Sequence, residues 1–153
     1  MTGTVVSIHL AAEAGQALQP VKSAGAVPGR GLEGDRYFQK QGTFSVKPGA
    51  GRDVTLIEVE ALEALTRDYE VTIEPGQSRR NIVTRGIALN HLVGREFMVG
   101  EVRLRGCRLC DPCGYLAKMT SDTVSKGLIH RGGLRCDVVT AGTIRVGDEL
   151  RLA

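Results

Sequence analysis

Twenty glycines in 153 residues cut this chain into pieces too short for a helical bundle. Each Gly inside a helix costs roughly 0.5–1 kcal/mol relative to Ala, so a chain punctuated this densely builds its core from short strands and turns. The runs between glycines fit that expectation. Thr4-Val5-Val6-Ser7-Ile8, Val54-Thr55-Leu56-Ile57 and Val102-Arg103-Leu104-Arg105 are rich in β-branched and aliphatic residues and read as strands. In the third, Val102 and Leu104 alternate with Arg103 and Arg105, the pattern of a half-buried strand. One segment has helical period instead: Val59, Leu62 and Leu65 share a face opposite acidic residues. A second, shorter helix is predicted near Asp111 and a short turn over Leu89–Leu92. The stretch Val99-Gly100-Glu101-Val102-Arg103-Leu104 echoes Val146-Gly147-Asp148-Glu149-Leu150-Arg151-Leu152. Both read as a turn feeding a strand, as in a barrel built of hairpins. No Ser/Pro-rich linker interrupts the chain, which predicts one domain over residues 1–153.

Composition narrows the function classes. The net charge is only +3, Trp is absent, and Tyr and Phe number three each. Nucleic-acid binding, which leaves a basic stripe with stacking aromatics, is not expected. No run approaches the roughly 18–20 consecutive apolar residues of a membrane span. The start, Met1-Thr2-Gly3-Thr4-Val5-Val6, lacks the basic and apolar regions of a secretion signal. The expectation is a cytoplasmic protein, in which four cysteines serve as thiols or ligands rather than disulfides.

The densest chemical signal is Gly106-Cys107-Arg108-Leu109-Cys110-Asp111-Pro112-Cys113-Gly114-Tyr115-Leu116, and three readings compete for it. In the first, Asp111 caps a helix with Pro112 at its first position, which puts Cys113 in the first turn. Free backbone N–H groups there favour thiolate, the species that attacks sulfur or binds a soft metal. The Asp111 carboxylate opposes that charge, and Arg105 or Arg108 would offset it. In the second reading Cys107, Cys110 and Cys113 form a C-x2-C-x2-C zinc or iron–sulfur module, with Cys136 or His130 as fourth ligand. A continuing strand through Cys107 would, however, turn its side chain to the face opposite Cys110. In the third, the cysteines are small buried hydrophobes, which suits Cys107 and Cys136 best.

Three further segments carry candidate anion-binding groups. Gly29-Arg30-Gly31-Leu32-Glu33-Gly34-Asp35-Arg36-Tyr37 combines close-approach glycines with a guanidinium fork; Asp35 and Arg36 equally suit an ion pair closing a loop. Gln77-Ser78-Arg79-Arg80-Asn81-Ile82-Val83-Thr84-Arg85-Gly86 sets three arginines around a short strand, either to hold phosphate or as a solvated basic face. His130-Arg131-Gly132-Gly133-Leu134-Arg135 contains a His that either carries protons or is structural.

Taken in order, these segments resemble the MOSC family, named after the C-terminal domain of molybdenum cofactor sulfurase. The resemblance rests on the loop at 31–36, the segment at 79–87 and Leu92-Val93-Gly94-Arg95-Glu96-Phe97. The Pro112-Cys113 pair and the closing pieces at 130–133 and 142–148 complete it. It implies a mostly β, barrel-like domain with a few short helices. It also implies one characteristic cysteine that carries sulfur as a persulfide or coordinates molybdenum. That cysteine maps onto Cys113, with Cys110 as runner-up or as resolving partner. The implied cofactor is the molybdenum cofactor (molybdopterin), held by Arg36, Arg79, Arg80 and Arg131 with Asp35, Asn81, Thr84 and His130 beside them. The pyridoxal-phosphate domain of the sulfurase has no counterpart here, so a partner such as a cysteine desulfurase would supply sulfur. A molybdoenzyme or a small molecule would accept it. Some relatives reduce N-hydroxylated compounds, a second activity that the resemblance leaves open.

Overall fold

The structure is a computed structural model and describes residues 1–38 and 49–153. Among the described residues, eleven strands and three helices follow one another. They are β1 (Thr2–Leu10), β2 (Gln19–Val21), β3 (Ser23–Val27), β4 (Gly31–Leu32), β5 (Val54–Glu58), α1 (Val59–Tyr69), β6 (Ile82–Arg85), β7 (Glu96–Val99) and β8 (Val102–Leu109). Then come α2 (Gly114–Met119), α3 (Asp122–Gly127), β9 (Leu134–Thr140), β10 (Gly142–Arg145) and β11 (Glu149–Leu152). Single 3₁₀ turns cover Pro75–Ser78 and Leu89–Leu92.

Seven strands close into a barrel in the order β11-β7-β8-β9-β5-β6-β1, with β1 pairing back onto β11 and β2 extending from β1. Closure removes the exposed strand edges that an open sheet must protect. A small second sheet, β10-β3-β4, packs beside it. The echoed sequences turn out to be neighbours. Their turns lie side by side, with Gly100 N–H donating to the Glu149 carbonyl at 2.9 Å, and the flanking β7 and β11 pair antiparallel.

Period-2 alternation decides which face each side chain takes. In β5 and β6, which run parallel, Leu56 lies opposite Ile82 and Ile57 opposite Val83. Leu56 and Ile82 belong to the barrel core with Leu89, Leu92, Phe97, Leu104 and Leu150. Ile57 and Val83 point the other way, into a second core. There Ala61, Leu62 and Leu65 of α1 meet Leu116, Val124 and Leu128 from the α2–α3 region. This explains why the 54–57 run is apolar on both faces rather than alternating. It also accounts for the helical period at 59, 62 and 65. The α1 helix ends at Glu70, whose left-handed backbone (φ 55°) presents its N–H to the Leu65 and Thr66 carbonyls.

The strand registers bring several chain ends to one level around the middle of β5. Leu56 pairs with Ile82, where β6 begins beside the last residues of β1, and with Leu134, where β9 begins beside the last residue of β8. Arg79-Arg80-Asn81 leads into β6, Cys110 follows β8, and Gly132-Gly133 precedes β9.

Candidate active site

Where these chain ends meet lies a cleft lined by Arg36, Tyr37, Thr55, Arg79, Arg80, Cys110, Asp111, Cys113, Tyr115, Leu116 and Arg135. Four arginines from three remote segments therefore face the Pro-Cys segment. Each is held differently.

The Asp35-Arg36 pair closes its loop and also presents a cation. Asp35 is buried; its Oδ1 accepts the Ala11 N–H (3.1 Å) and Arg36 Nη1–H (2.9 Å), and Oδ2 accepts the Tyr37 N–H (3.3 Å). Arg36 stacks over the Tyr37 ring at 4.8 Å. Arg79 stacks over Tyr115 at 5.6 Å and donates from Nη1 to the Gln16 carbonyl at 2.9 Å. Its Nε and Nη2 are buried without a partner among the described residues. Burial first, and then the Arg36 charge, lower its pKa. Two buried cations that repel one another, with donors to spare, favour an anion between them.

Arg80 differs. Its Nε donates to the Gly132 carbonyl (2.8 Å), Nη1 to the Ser78 carbonyl (3.3 Å) and Nη2 to the Cys110 carbonyl (3.2 Å). Two of these donors fasten the cysteine segment to the run before β9, and the third returns to Arg80's own turn at Ser78. The two glycines there are required by close approach: a Cβ at Gly132 would stand 2.2 Å from the Cys110 oxygen, and one at Gly133 2.1 Å from the Leu56 oxygen. Cys110 N–H donates to the Gly133 carbonyl at 2.7 Å, which completes the latch.

Other expected site residues lie elsewhere. Asn81 bridges strands: Nδ2 donates to the His9 carbonyl at 3.1 Å, and Oδ1 accepts from the N–H and hydroxyl of Thr55. Thr84 is buried and donates its hydroxyl to the Ile57 carbonyl. His130 is exposed in left-handed backbone (φ 64°), and its carbonyl accepts from Asn90. Arg131 is exposed too. None of these four lines the cleft. Arg105, one of the two residues expected to offset Asp111, is instead bonded to Glu96 at 2.7 Å; the cations that line the cleft with Cys110 and Cys113 are Arg36, Arg79, Arg80 and Arg135.

The four cysteines are all free thiols in four different settings. Cys136 is fully buried in the barrel core, where loss of solvation pushes its pKa well up. Cys107, expected to be buried, is only partly so; its Sγ lies 3.4 Å from Asp137 Oδ2, and burial followed by that carboxylate raises its pKa. Cys110 is buried at the cleft floor and Cys113 is exposed. The helix that follows starts later than predicted: Cys113 rather than Asp111 is the N-cap of α2, with extended backbone (φ −132°, ψ 173°) and no side-chain capping bond. Asp111 and Pro112 stay outside the helix, and Cys113 is exposed and lines the cleft. Among the described residues, no three His, Cys, Asp or Glu side chains converge on a metal. The C-x2-C-x2-C run is thus spread from the outer face of β8 to the floor and rim of the cleft.

Tyr37, Thr55, Tyr115 and Arg135 also line the cleft and were not among the expected residues. The tyrosines had a signal: of three in the chain, two lie within candidate segments, Tyr37 just after Arg36 and Tyr115 just after Cys113-Gly114. Thr55 and Arg135 arrive by strand pairing, which opposes them across β5 and β9.

The MOSC domain family model matches residues 41–151. The chain belongs to the MOSC family. Solved structures share its architecture at low identity. The YuaD protein of Bacillus subtilis superposes with a TM-score of 0.83 at 17% identity, covering 98% of this chain and 94% of that one. YiiM from Geobacillus stearothermophilus gives 0.75 at 16% identity, covering 99% and 75%. YiiM from Escherichia coli gives 0.69 at 20%, covering 100% and 70%. A comparison with curated proteins finds no match. The closed barrel is therefore a MOSC fold, and the MOSC family is associated with molybdenum-cofactor binding.

Proposed function

We propose that this MOSC domain binds the molybdenum cofactor in the arginine-lined cleft and works through the Cys113 thiolate. One observation carries the reading: Cys113 is the exposed thiol of the chain and stands in the same cleft as Arg36, Arg79 and Arg135. The residues fit the group. A phosphate-bearing pterin needs fixed cations and planar surfaces, supplied by Arg36 over Tyr37 and Arg79 over Tyr115. The unpartnered Nε and Nη2 of Arg79 are donors that a phosphate or pterin oxygen would satisfy. A soft metal needs a soft ligand, which is Cys113. When bound, the cofactor would supply two-electron redox and sulfur-accepting chemistry.

The protein's part is to hold, orient and charge. Arg80 fixes Cys110, which in turn fixes the take-off of the Pro112-Cys113 turn. Arg36, Arg79 and Arg135 set positive charge in the same cleft as Cys113. With a sulfur donor such as a cysteine desulfurase persulfide, the Cys113 thiolate attacks the terminal sulfur. A new S–S bond forms at Cys113, the donor's S–S bond breaks, and the donor leaves as its thiolate.

Reconstitution with molybdenum cofactor, followed by elemental analysis, tests the assignment. The expected result is about one molybdenum per chain, lost in Cys113→Ala and kept in Cys107→Ser. Equal loading of Cys113→Ala and wild type would remove Cys113 from the role. Zinc or iron bound in proportion to Cys107 and Cys110 would favour a metal module instead.

A further inference from the structure

Arg79 lines a second cavity that the cysteine cleft does not share. It encloses about 420 Å³ and is walled by Leu18, Pro20, Pro75, Gly76 and Met119, with His9, Arg79 and Glu74 as its charged or titratable members. That volume lies in the range of small-molecule sites, roughly 300–1,000 Å³, which are mostly apolar with a few convergent polar groups. Here two such groups converge. His9 and Arg79 are 6% and 8% exposed, and His9 Nδ1 and Arg79 Nε and Nη2 have no partner among the described residues. Three buried polar atoms left unsatisfied in one small region are a cost that a ligand can relieve.

The chemistry of the wall selects the ligand. The guanidinium offers two N–H donors. His9 Nε2 is 2.8 Å from Ser7 Oγ; with the Ser7 hydroxyl donating there, Nδ1–H becomes a third unpartnered donor beside the cavity. Gly76 packs close over it, since a Cβ on that residue would sit 3.2 Å from His9 Nδ1. Three donors beside an apolar wall match one carboxylate on an apolar body. Glu74, tied at the rim into the capping box of the Pro75–Ser78 turn, disfavours a second negative charge on the ligand.

We propose that this cavity is a binding site for a small monocarboxylate carrying an apolar chain or ring, gripped by Arg79 and His9. The donors are covered in the empty protein, so the carboxylate reaches them past Met119, an exposed side chain on the wall. Neither Cys113 nor Arg36 lines the cavity, but Arg79 lines both it and the cleft, so a carboxylate here competes with the cofactor for the same two Arg79 donors. Arg79 joins the two, which makes a ligand here a neighbour of the chemistry at Cys113.

Titration of hexanoate into the full chain without added cofactor, followed by calorimetry and by the His9 ring resonances, tests the site. The expected result is saturation at one hexanoate per chain with a shift of the His9 signals. Arg79→Gln and Met119→Glu should each weaken binding at least tenfold, and hexylamine should not compete. Met119 is exposed, so its variant reports on the site rather than on folding. Absence of saturable binding by folded wild type would overturn the proposal. So would equal affinity in Met119→Glu, an unmoved His9 resonance, or equal binding of hexylamine.

Discussion

The two walls of the cysteine cleft are built on opposite plans. The arginine wall is locked: Asp35 uses both carboxylate oxygens on its own loop and Arg36, and Arg80 uses three donors on three carbonyls. The cysteine wall is fastened at Cys110 and released at Cys113, an N-cap without a side-chain capping bond on a six-residue helix. The difference teaches where stability and reactivity have been separated. A thiol that must meet a partner needs exposure, while the charges that activate it need burial and fixed geometry to be strong.

Mutation should separate the walls in the same way. Arg80→Ala breaks the latch and leaves the Cys110 and Gly132 carbonyls without a donor; a loss of about 3 kcal/mol is expected in chemical denaturation. Cys110 should then react with thiol reagents in the native protein. Gly132→Ala pushes a methyl against the Cys110 oxygen and should cost roughly 1–3 kcal/mol, with the same exposure of Cys110.

A third effect depends on pH. Burial lowers the pKa of His9, so below the ordinary His value of about 6.5 the unfolded chain takes up a proton that the native chain refuses. Stability therefore rises with pH through that region, with a slope of at most about 1.4 kcal/mol per pH unit from this group. Denaturation midpoints of wild type and His9→Gln between pH 5 and 7.5 would show the slope and its reduction. The smallest effect on folding belongs to the working residue: Cys113→Ser should change stability by less than about 0.5 kcal/mol while removing the thiol chemistry. A large loss of stability there would erase the contrast between the walls.

Much of the barrel was legible because its signals are local. Alternation marked β8, glycines marked the turns, and the period at 59, 62 and 65 marked α1. The site was legible in its parts and not in its assembly. Arg36, Arg79, Arg80, Cys110 and Cys113 are brought together, but by strand directions that no local pattern encodes. The segment that looked like a helix start at Asp111-Pro112 lies outside the helix, whose N-cap is Cys113, itself in extended backbone. Extended backbone is compatible with Pro112 and is what the residue before a proline prefers. Of the residues expected beside the cofactor, Arg80 lines the cleft while donating to three backbone carbonyls, and Asn81 donates to the His9 carbonyl outside the cleft lining. Arg135 could be placed only by its strand pairing across the barrel.

The most direct test of Cys113 as the working thiol is mass spectrometry after exposure to a cysteine desulfurase and cysteine. Cleavage before Asp111 would separate Cys110 from Cys113. One added sulfur on the Cys113 peptide, absent in Cys113→Ala and absent from Cys110, is the predicted result. Sulfur on Cys110, or none at all in folded protein with free thiols, would contradict it.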